Sequence, residues 1–275
     1  MSSIREEKAI GFKNINDFKK SKENTIPISV ITCYDHAFAR IIDQTDIDAI
    51  LVGDSLGNVI AGFPNTLPVT LDQMIYHTTI VRRGAPGKFL ITDLPFMSYH
   101  ISVEDTLRNC GRVMKESGAN AVKLEGGRDF RHIVESLVRA SIPVMGHLGL
   151  TPQSIHKLGG YSVQGKGEKQ GKIILEDAKI LEEAGAFSLV LEMVPESLAK
   201  DISESLTIPT IGIGAGRFCD GQVLVLNDML GIDERFNPKF LKKYANLYEA
   251  TKSAIDAYDR EVKERKFPEE KNTFK

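Results

Sequence analysis

Asp54 and Ser55 interrupt an apolar run in "ILVGDSLGNVIAG", Ile50 to Gly62, and other apolar runs close on charged residues in the same way. Asp93 follows "FLIT", Lys123 and Glu125 stand in "VKLEGG", His147 lies in "MGHLGLTP" and Glu192 ends "FSLVLE". One acid at the end of a strand is ordinarily a loop residue or a helix cap. Five adjacent strands ending this way fit that reading poorly, because in a barrel their side chains would crowd one mouth. Lys123 and Glu125 are two residues apart and leave the same face of a strand, while Leu124 takes the other. On an inward face Lys123 must meet carboxylates or an anionic ligand, with a structural Lys123–Glu125 pair as the alternative. Carboxylates that converge without cysteines or paired histidines suit a hard cation. Mg²⁺ usually takes one or two of them plus water and substrate oxygens, and Asp54 and Asp93 are the first candidates. Repulsion among clustered acids favours leaving one of them outside the metal shell as a base, and Glu192 is the natural choice.

The remaining motifs carry less. The glycines of "IGIGAG", Gly212, Gly214 and Gly216, lack GxGxxG spacing and a following acid in a βαβ context, so close packing or backbone approach to a ligand is expected there instead of a nucleotide site. His77 falls in a helical pattern and reads as packed or half-exposed. His36, His100, His132 and His156 have no partner at metal-ligand spacing. His147 sits at a strand end, where a core histidine and a ligand-binding one are both open readings.

Such residues need elements to position them. Apolar, β-branched runs begin at Ile28, Ala49, Phe89, Asn120, Ile142, Phe187, Pro209 and Gln222, with helix-like segments between them. Continuous apolar runs, without alternation, belong to strands covered on both faces, as in a parallel sheet. "SVEDTLRNCGRVMKESG" reads as an amphipathic helix. Ser102 caps it, Glu104 and Asp105 favour its first turn, Gly118 ends it, and Val103, Leu107, Cys110, Val113 and Met114 form one stripe. About eight such units in 275 residues predict an α/β fold, a closed (β/α)8 barrel. The expected organisation is a charged extension over 1–26, one barrel domain over 27–262 and a charged tail over 263–275. "LGGYSVQGKGEKQGK", Leu158 to Lys172, is expected as a long loop over a barrel mouth.

A net charge of -2 with no basic block argues against nucleic acid as a partner. Three scattered cysteines without CxxC spacing fit a reducing cytoplasm better than a disulfide framework or a zinc site. The N-terminal stretch has no apolar core of signal-peptide length and no segment has the length of a membrane span, so a soluble protein is expected.

The ordered motifs "ITCYD", "VGDSLG", "TLPVT", "YHTTIVRRGAP", "TDLPFMSY", "VKLEGG", "PVMGHLGLTPQS", "GGYSVQGKG", "LVLEMVP", "IPTIGIGAG" and "DGQVLVLNDMLG" are similar to those of the 3-methyl-2-oxobutanoate (ketopantoate) hydroxymethyltransferase family. The resemblance covers some two hundred residues, from Ile31 to Gly231. It implies a TIM barrel of the phosphoenolpyruvate- and pyruvate-handling type, and one-carbon transfer from 5,10-methylenetetrahydrofolate to 3-methyl-2-oxobutanoate. It further implies Mg²⁺ at Asp54 and Asp93 with Glu125 close by, oxoacid binding by Asp54, Ser55, Asp93, Lys123 and His147, Glu192 as general base, and a homodecamer. Cys33 stands where "AYD" is the more familiar motif, and the two ends of the chain match only loosely. A metal-dependent oxoacid lyase or aldolase that needs no folate, and a non-catalytic oxoacid-binding barrel, are the competing expectations.

Overall fold

The computed structural model describes residues 12–274. Eight parallel strands, β1 (Ile28–Thr32), β2 (Ala49–Val52), β3 (Phe89–Asp93), β4 (Ala121–Glu125), β5 (Val144–Gly149), β6 (Ser188–Glu192), β7 (Thr210–Ile213) and β8 (Gly221–Leu224), close into a barrel in sequence order. Each expected run supplies one strand, including the short eighth, which pairs with β1 through Ile28 and Gly221. Closure leaves no sheet edge and buries the strands on both faces, which is why the runs are apolar; β8, with Gln222 exposed, is the exception.

The two faces of each strand serve different cores. Outward residues such as Val122, Leu124, Val144, Leu189 and Leu191 pack under the helices. Inward residues Val30, Leu51, Ile91, Ala121, Met145, Val190, Ile211 and Val223 fill the barrel floor together with Phe18. Phe18 comes from the helix Ile15–Glu23 and is fully buried, with its ring edge-on to Phe12, Phe89 and Phe187. The expected extension over 1–26 lies partly outside the described residues; its described part contains this helix.

The helix Val103–Ser117 is capped by the Ser102 side chain, which accepts from the Asp105 N–H, and ends at Gly118 with φ 73°. That left-handed backbone suits glycine because it has no Cβ to clash. Two expectations about the connections need correcting. Residues 168–172 are not loop but the first turns of the helix Glu168–Glu183, whose buried stripe contains Gly171, Ile174, Ala178 and Leu181. Its lysines and glutamates lie on the solvated side, so composition alone resembles a loop. Between β7 and β8 there is no helix: the chain turns back through 214–220, using the left-handed Gly214 and Gly216.

A first compact unit ends at Val225 and holds the barrel; a second runs Leu226–Lys275, so the expected single domain over 27–262 spans parts of both. The second unit carries the helix Leu247–Lys263, none of whose residues is buried.

Candidate active site

Strand register places the polar residues at one level. Asp93 pairs with Lys123, Glu125 with His147, and Gly149 with Glu192. Because side chains alternate, Ile91 and Asp93, Ala121 and Lys123 and Glu125, Met145 and His147, and Val190 and Glu192 all point into the lumen. Its floor is therefore apolar and its C-terminal mouth charged, the end at which barrel enzymes do their chemistry.

Lys123 Nζ lies 2.7 Å from Asp93 Oδ1 with both side chains about 5 % exposed. The contact is an ion pair without hydrogen-bond alignment, so Asp93 Oδ1 has no aligned donor. Asp54, just past β2, donates its backbone N–H to Asp93 Oδ2 at 3.1 Å. A side chain at Gly53 would bring its Cβ to 2.7 Å from Ser55 Oγ and 3.5 Å from Asp93 Oδ2, so this glycine permits the close approach. Of the six ionisable residues expected at the mouth, Asp54, Asp93, Lys123, Glu125 and His147 are buried and Glu192 is partly open.

Ser55 sits beside them, its Oγ 2.9 Å from the buried hydroxyl of Tyr34. His147 Nδ1 is 3.4 Å from both Glu125 Oε1 and Lys123 Nζ, and its Nε2 is 3.2 Å from Glu192 Oε2. That Nε2 contact is an ion pair without hydrogen-bond alignment. Glu192 is the most open acid of the group, its side chain 20 % exposed. The next residue, Met193, has φ 48°, a conformation rare for a side-chain-bearing residue, and its carbonyl accepts from the Gln164 N–H at 2.8 Å. That bond ties the loop after Gly159 to the end of β6. Tyr161 in the same loop is exposed, and its hydroxyl pKa is raised by partial burial and then by Glu192, Asp54 and Glu125.

Two contributors are absent from the sequence reading. Gln153, in the 3₁₀ turn Pro152–Ser154 after β5, donates from Nε2 to Asp54 Oδ2 and to the Leu94 carbonyl, each at 2.9 Å, and from its backbone N–H to Glu125 Oε2 at 3.0 Å. The Tyr99 hydroxyl donates to Gln153 Oε1 at 2.9 Å and accepts from the Glu125 N–H at 3.2 Å. Both lie within motifs that carry the resemblance, "TPQS" and "FMSY", yet nothing in their spacing announces a partner in a different loop.

The electrostatics are unbalanced. Four carboxylates, Asp54, Asp93, Glu125 and Glu192, face one ammonium and one imidazole. Burial, then Asp93 and Glu125, push the Asp54 carboxyl well above the usual carboxylate range, against the opposing pull of Lys123 and Gln153. Burial and Lys123 disfavour a charged His147, but Glu125 and Glu192 outweigh them and raise its pKa to about 9. The carboxylates outnumber the two bases, and the raised Asp54 and Asp93 carboxyls are the response to that excess, which a bound cation would relieve.

Among the described residues no group of three or more His, Cys, Asp or Glu side chains gathers tightly enough to enclose an ion. Both Glu125 oxygens already have partners in Gln153 and His147. What fits a metal is the adjacent pair Asp54 and Asp93. Its raised carboxyl pKa values, the unaligned Asp93 Oδ1 and its oxygen-only donors are what a hard divalent cation such as Mg²⁺ would require.

The cysteines stand apart from this chemistry. All three are free thiols, Cys33 and Cys110 buried, and burial raises the pKa of Cys33 to about 11 and that of Cys110 to about 12. His77 packs as expected, with Nδ1 at 2.6 Å from the Tyr34 carbonyl. At "IGIGAG", a Cβ on Gly216 would meet the Glu196 side chain at 2.5 Å, so tight packing accounts for that glycine.

A closed (β/α)8 barrel with its ionisable groups buried at the C-terminal mouth defines a TIM-barrel enzyme. The fold is shared with 2,3-dimethylmalate lyase, described as a member of the PEP mutase/isocitrate lyase superfamily, at TM-score 0.58 and 15 % identity over 94 % of this chain and 91 % of that one. Sequence comparison is more specific. The chain is 56 % identical to the 3-methyl-2-oxobutanoate hydroxymethyltransferase of Pseudothermotoga lettingae, over 95 % of this chain and 98 % of its relative. It is also 56 % identical to the enzyme of the same name from Leptospira interrogans, over 95 % and 100 % of the two chains. The family profile described as ketopantoate hydroxymethyltransferase matches residues 13–270, and the chain belongs to that family.

Proposed function

We propose that the chain transfers a hydroxymethyl group from 5,10-methylenetetrahydrofolate to 3-methyl-2-oxobutanoate, giving 2-dehydropantoate, the first step toward pantothenate and coenzyme A. The observation that carries this reading is the arrangement of Glu192, one open carboxylate, beside a sealed group of Asp54, Asp93, Lys123 and His147. Enolisation next to a keto group needs those parts: a base that can reach a C–H bond, and charge to receive the enolate oxygen.

Glu192 takes the proton from C3 of the oxoacid, and His147 Nε2, 3.2 Å away, fixes the position of the receiving carboxylate. Lys123 and Ser55 hold the oxoacid carboxylate, Lys123 as a buried cation and Ser55 as a hydroxyl oriented by Tyr34. Asp54 and Asp93 would hold Mg²⁺, with Glu125 beside it through water; the ion would supply a Lewis acid where enolate charge develops. Both bonds from the methylene carbon to the two carrier nitrogens break, with water supplying the oxygen and its protons going to the released nitrogens; the C3 carbanion adds to this formaldehyde-level carbon, and the proton taken from C3 completes the new hydroxyl. Sealing of the lumen floor by Phe18 and its aromatic neighbours leaves the mouth as the side open to substrate.

The names of the relatives support hydroxymethyl transfer over a lyase or aldolase and over a non-catalytic barrel; methylenetetrahydrofolate as the donor is part of the proposal. No described helix is long and apolar enough to cross a membrane, and we assign the enzyme to the cytoplasm. A large homo-oligomer, a homodecamer on the family pattern, is part of the same proposal. It is supported by the helix Leu247–Lys263, on which Ile255, Tyr258 and Val262 are all exposed. Sedimentation velocity reads that state directly. The activity is tested by following 2-dehydropantoate and tetrahydrofolate together: both should form in equal amounts, only with methylenetetrahydrofolate present. Turnover of the oxoacid without the carrier would refute the transfer.

A further inference from the structure

Gln153 has no place in the chemistry above, yet it hydrogen-bonds two of the carboxylates assigned to the site, Asp54 and Glu125. Its amide has two unlike ends. Nε2 lies 2.9 Å from Asp54 Oδ2 and 2.9 Å from the Leu94 carbonyl, and both of those atoms can only accept. Oε1 lies 2.9 Å from the Tyr99 hydroxyl, which can donate. Turned over, the amide would set Oε1 against two acceptors, so the network admits one orientation.

The consequence falls on Asp54. Its Oδ2 is engaged by Gln153, while its Oδ1 makes no hydrogen bond among the described residues. A lysine or arginine in place of Gln153 would also orient that carboxylate, but would neutralise it, as Lys123 already does for Asp93. A neutral amide orients without neutralising. The same residue holds Glu125 Oε2 through its backbone N–H at 3.0 Å.

We propose that Gln153 is a positioning residue for the cation seat: it fixes Asp54 with one oxygen presented and its charge uncompensated, and Tyr99 locks the amide in the orientation that does this. The inference rests on the reading of Asp54 and Asp93 as cation ligands. Groups that orient metal ligands typically contribute about 10- to 100-fold to metal affinity.

The test is direct Mn²⁺ binding to the full-length protein, followed by the EPR signal of free Mn²⁺ with no oxoacid or folate present. Gln153→Met keeps the length of the side chain and its backbone N–H but removes both amide ends; its Kd for Mn²⁺ should rise about 10- to 100-fold. Tyr99→Phe keeps Gln153 but unlocks it, and its Kd should rise by about 3- to 10-fold, less than full removal of the orienting group. Circular dichroism and thermal melting establish which variants are folded. A wild-type Kd in either folded variant overturns the inference, since a purely structural role would move the melting temperature and leave Mn²⁺ affinity alone. Failure of the underlying reading looks different: Asp54→Asn would then bind Mn²⁺ as tightly as wild type, or the wild type would bind none.

Discussion

Lys123→Met tests the electrostatic account where it is most exposed to refutation. The substitution keeps most of the side-chain volume, so packing in the lumen is nearly conserved and the loss is one of charge. Lys123 is buried against Asp93 at 2.7 Å, with Glu125 and Asp54 also raising its pKa. Removing one partner of a buried pair leaves the other uncompensated, at a cost of about 3 to 5 kcal/mol. For a domain of this size each kcal/mol moves Tm by about 2 to 4 °C, so the variant should melt roughly 6 to 20 °C below wild type at pH 8. The deficit should also depend on pH. The Asp93 carboxyl is raised by burial even with Lys123 present, which holds it down, and without Lys123 it must rise further. A carboxyl whose folded pKa exceeds its unfolded one costs stability at high pH, and that cost disappears as the pH falls through the folded value. The gap between wild type and Lys123→Met should therefore narrow from pH 8 to pH 5.5, and Mg²⁺ should narrow it at pH 8. Differential scanning calorimetry reads both. Equal Tm values at pH 8, or a gap that widens toward pH 5.5, would refute the pairing of Lys123 with Asp93 as the dominant local interaction.

Phe18→Ala should open a cavity in the barrel floor and destabilise the protein by about 3 to 5 kcal/mol in denaturant titration, while KM for the oxoacid stays near wild type because the site is at the opposite end. Tyr34→Phe removes the 2.9 Å hydrogen bond to Ser55, a loss of about 1 kcal/mol, so KM for the oxoacid should rise roughly fivefold in steady-state assays with kcat little changed. An unchanged KM in Tyr34→Phe would detach Ser55 from oxoacid binding.

The strands were legible because a closed parallel barrel buries both faces of each one, and no other common arrangement repeats such runs eight times. The charged ends of β3, β4, β5 and β6 were legible for a related reason, since an acid or a lysine inside an apolar run has few uses apart from a mouth. Gln153 and Tyr99 were not legible. An uncharged amide and a tyrosine in the connections after their strands carry no sign of partners that only the closed barrel brings to them, across separations such as Asp54 to Gln153. The helix missing between β7 and β8 was hidden by the assumption that every unit repeats alike, although "IGIGAGRFCDG" carries the left-handed glycines of a turn.

Glu192 as the base is the central claim, and it can be tested without the one-carbon carrier. Proton NMR of 3-methyl-2-oxobutanoate in D₂O, with protein and Mg²⁺ but no folate, follows loss of the C3 proton signal. Exchange by the wild type that is abolished in Glu192→Gln, with oxoacid binding retained, is the predicted result. Exchange that persists at the wild-type rate in Glu192→Gln would contradict the account.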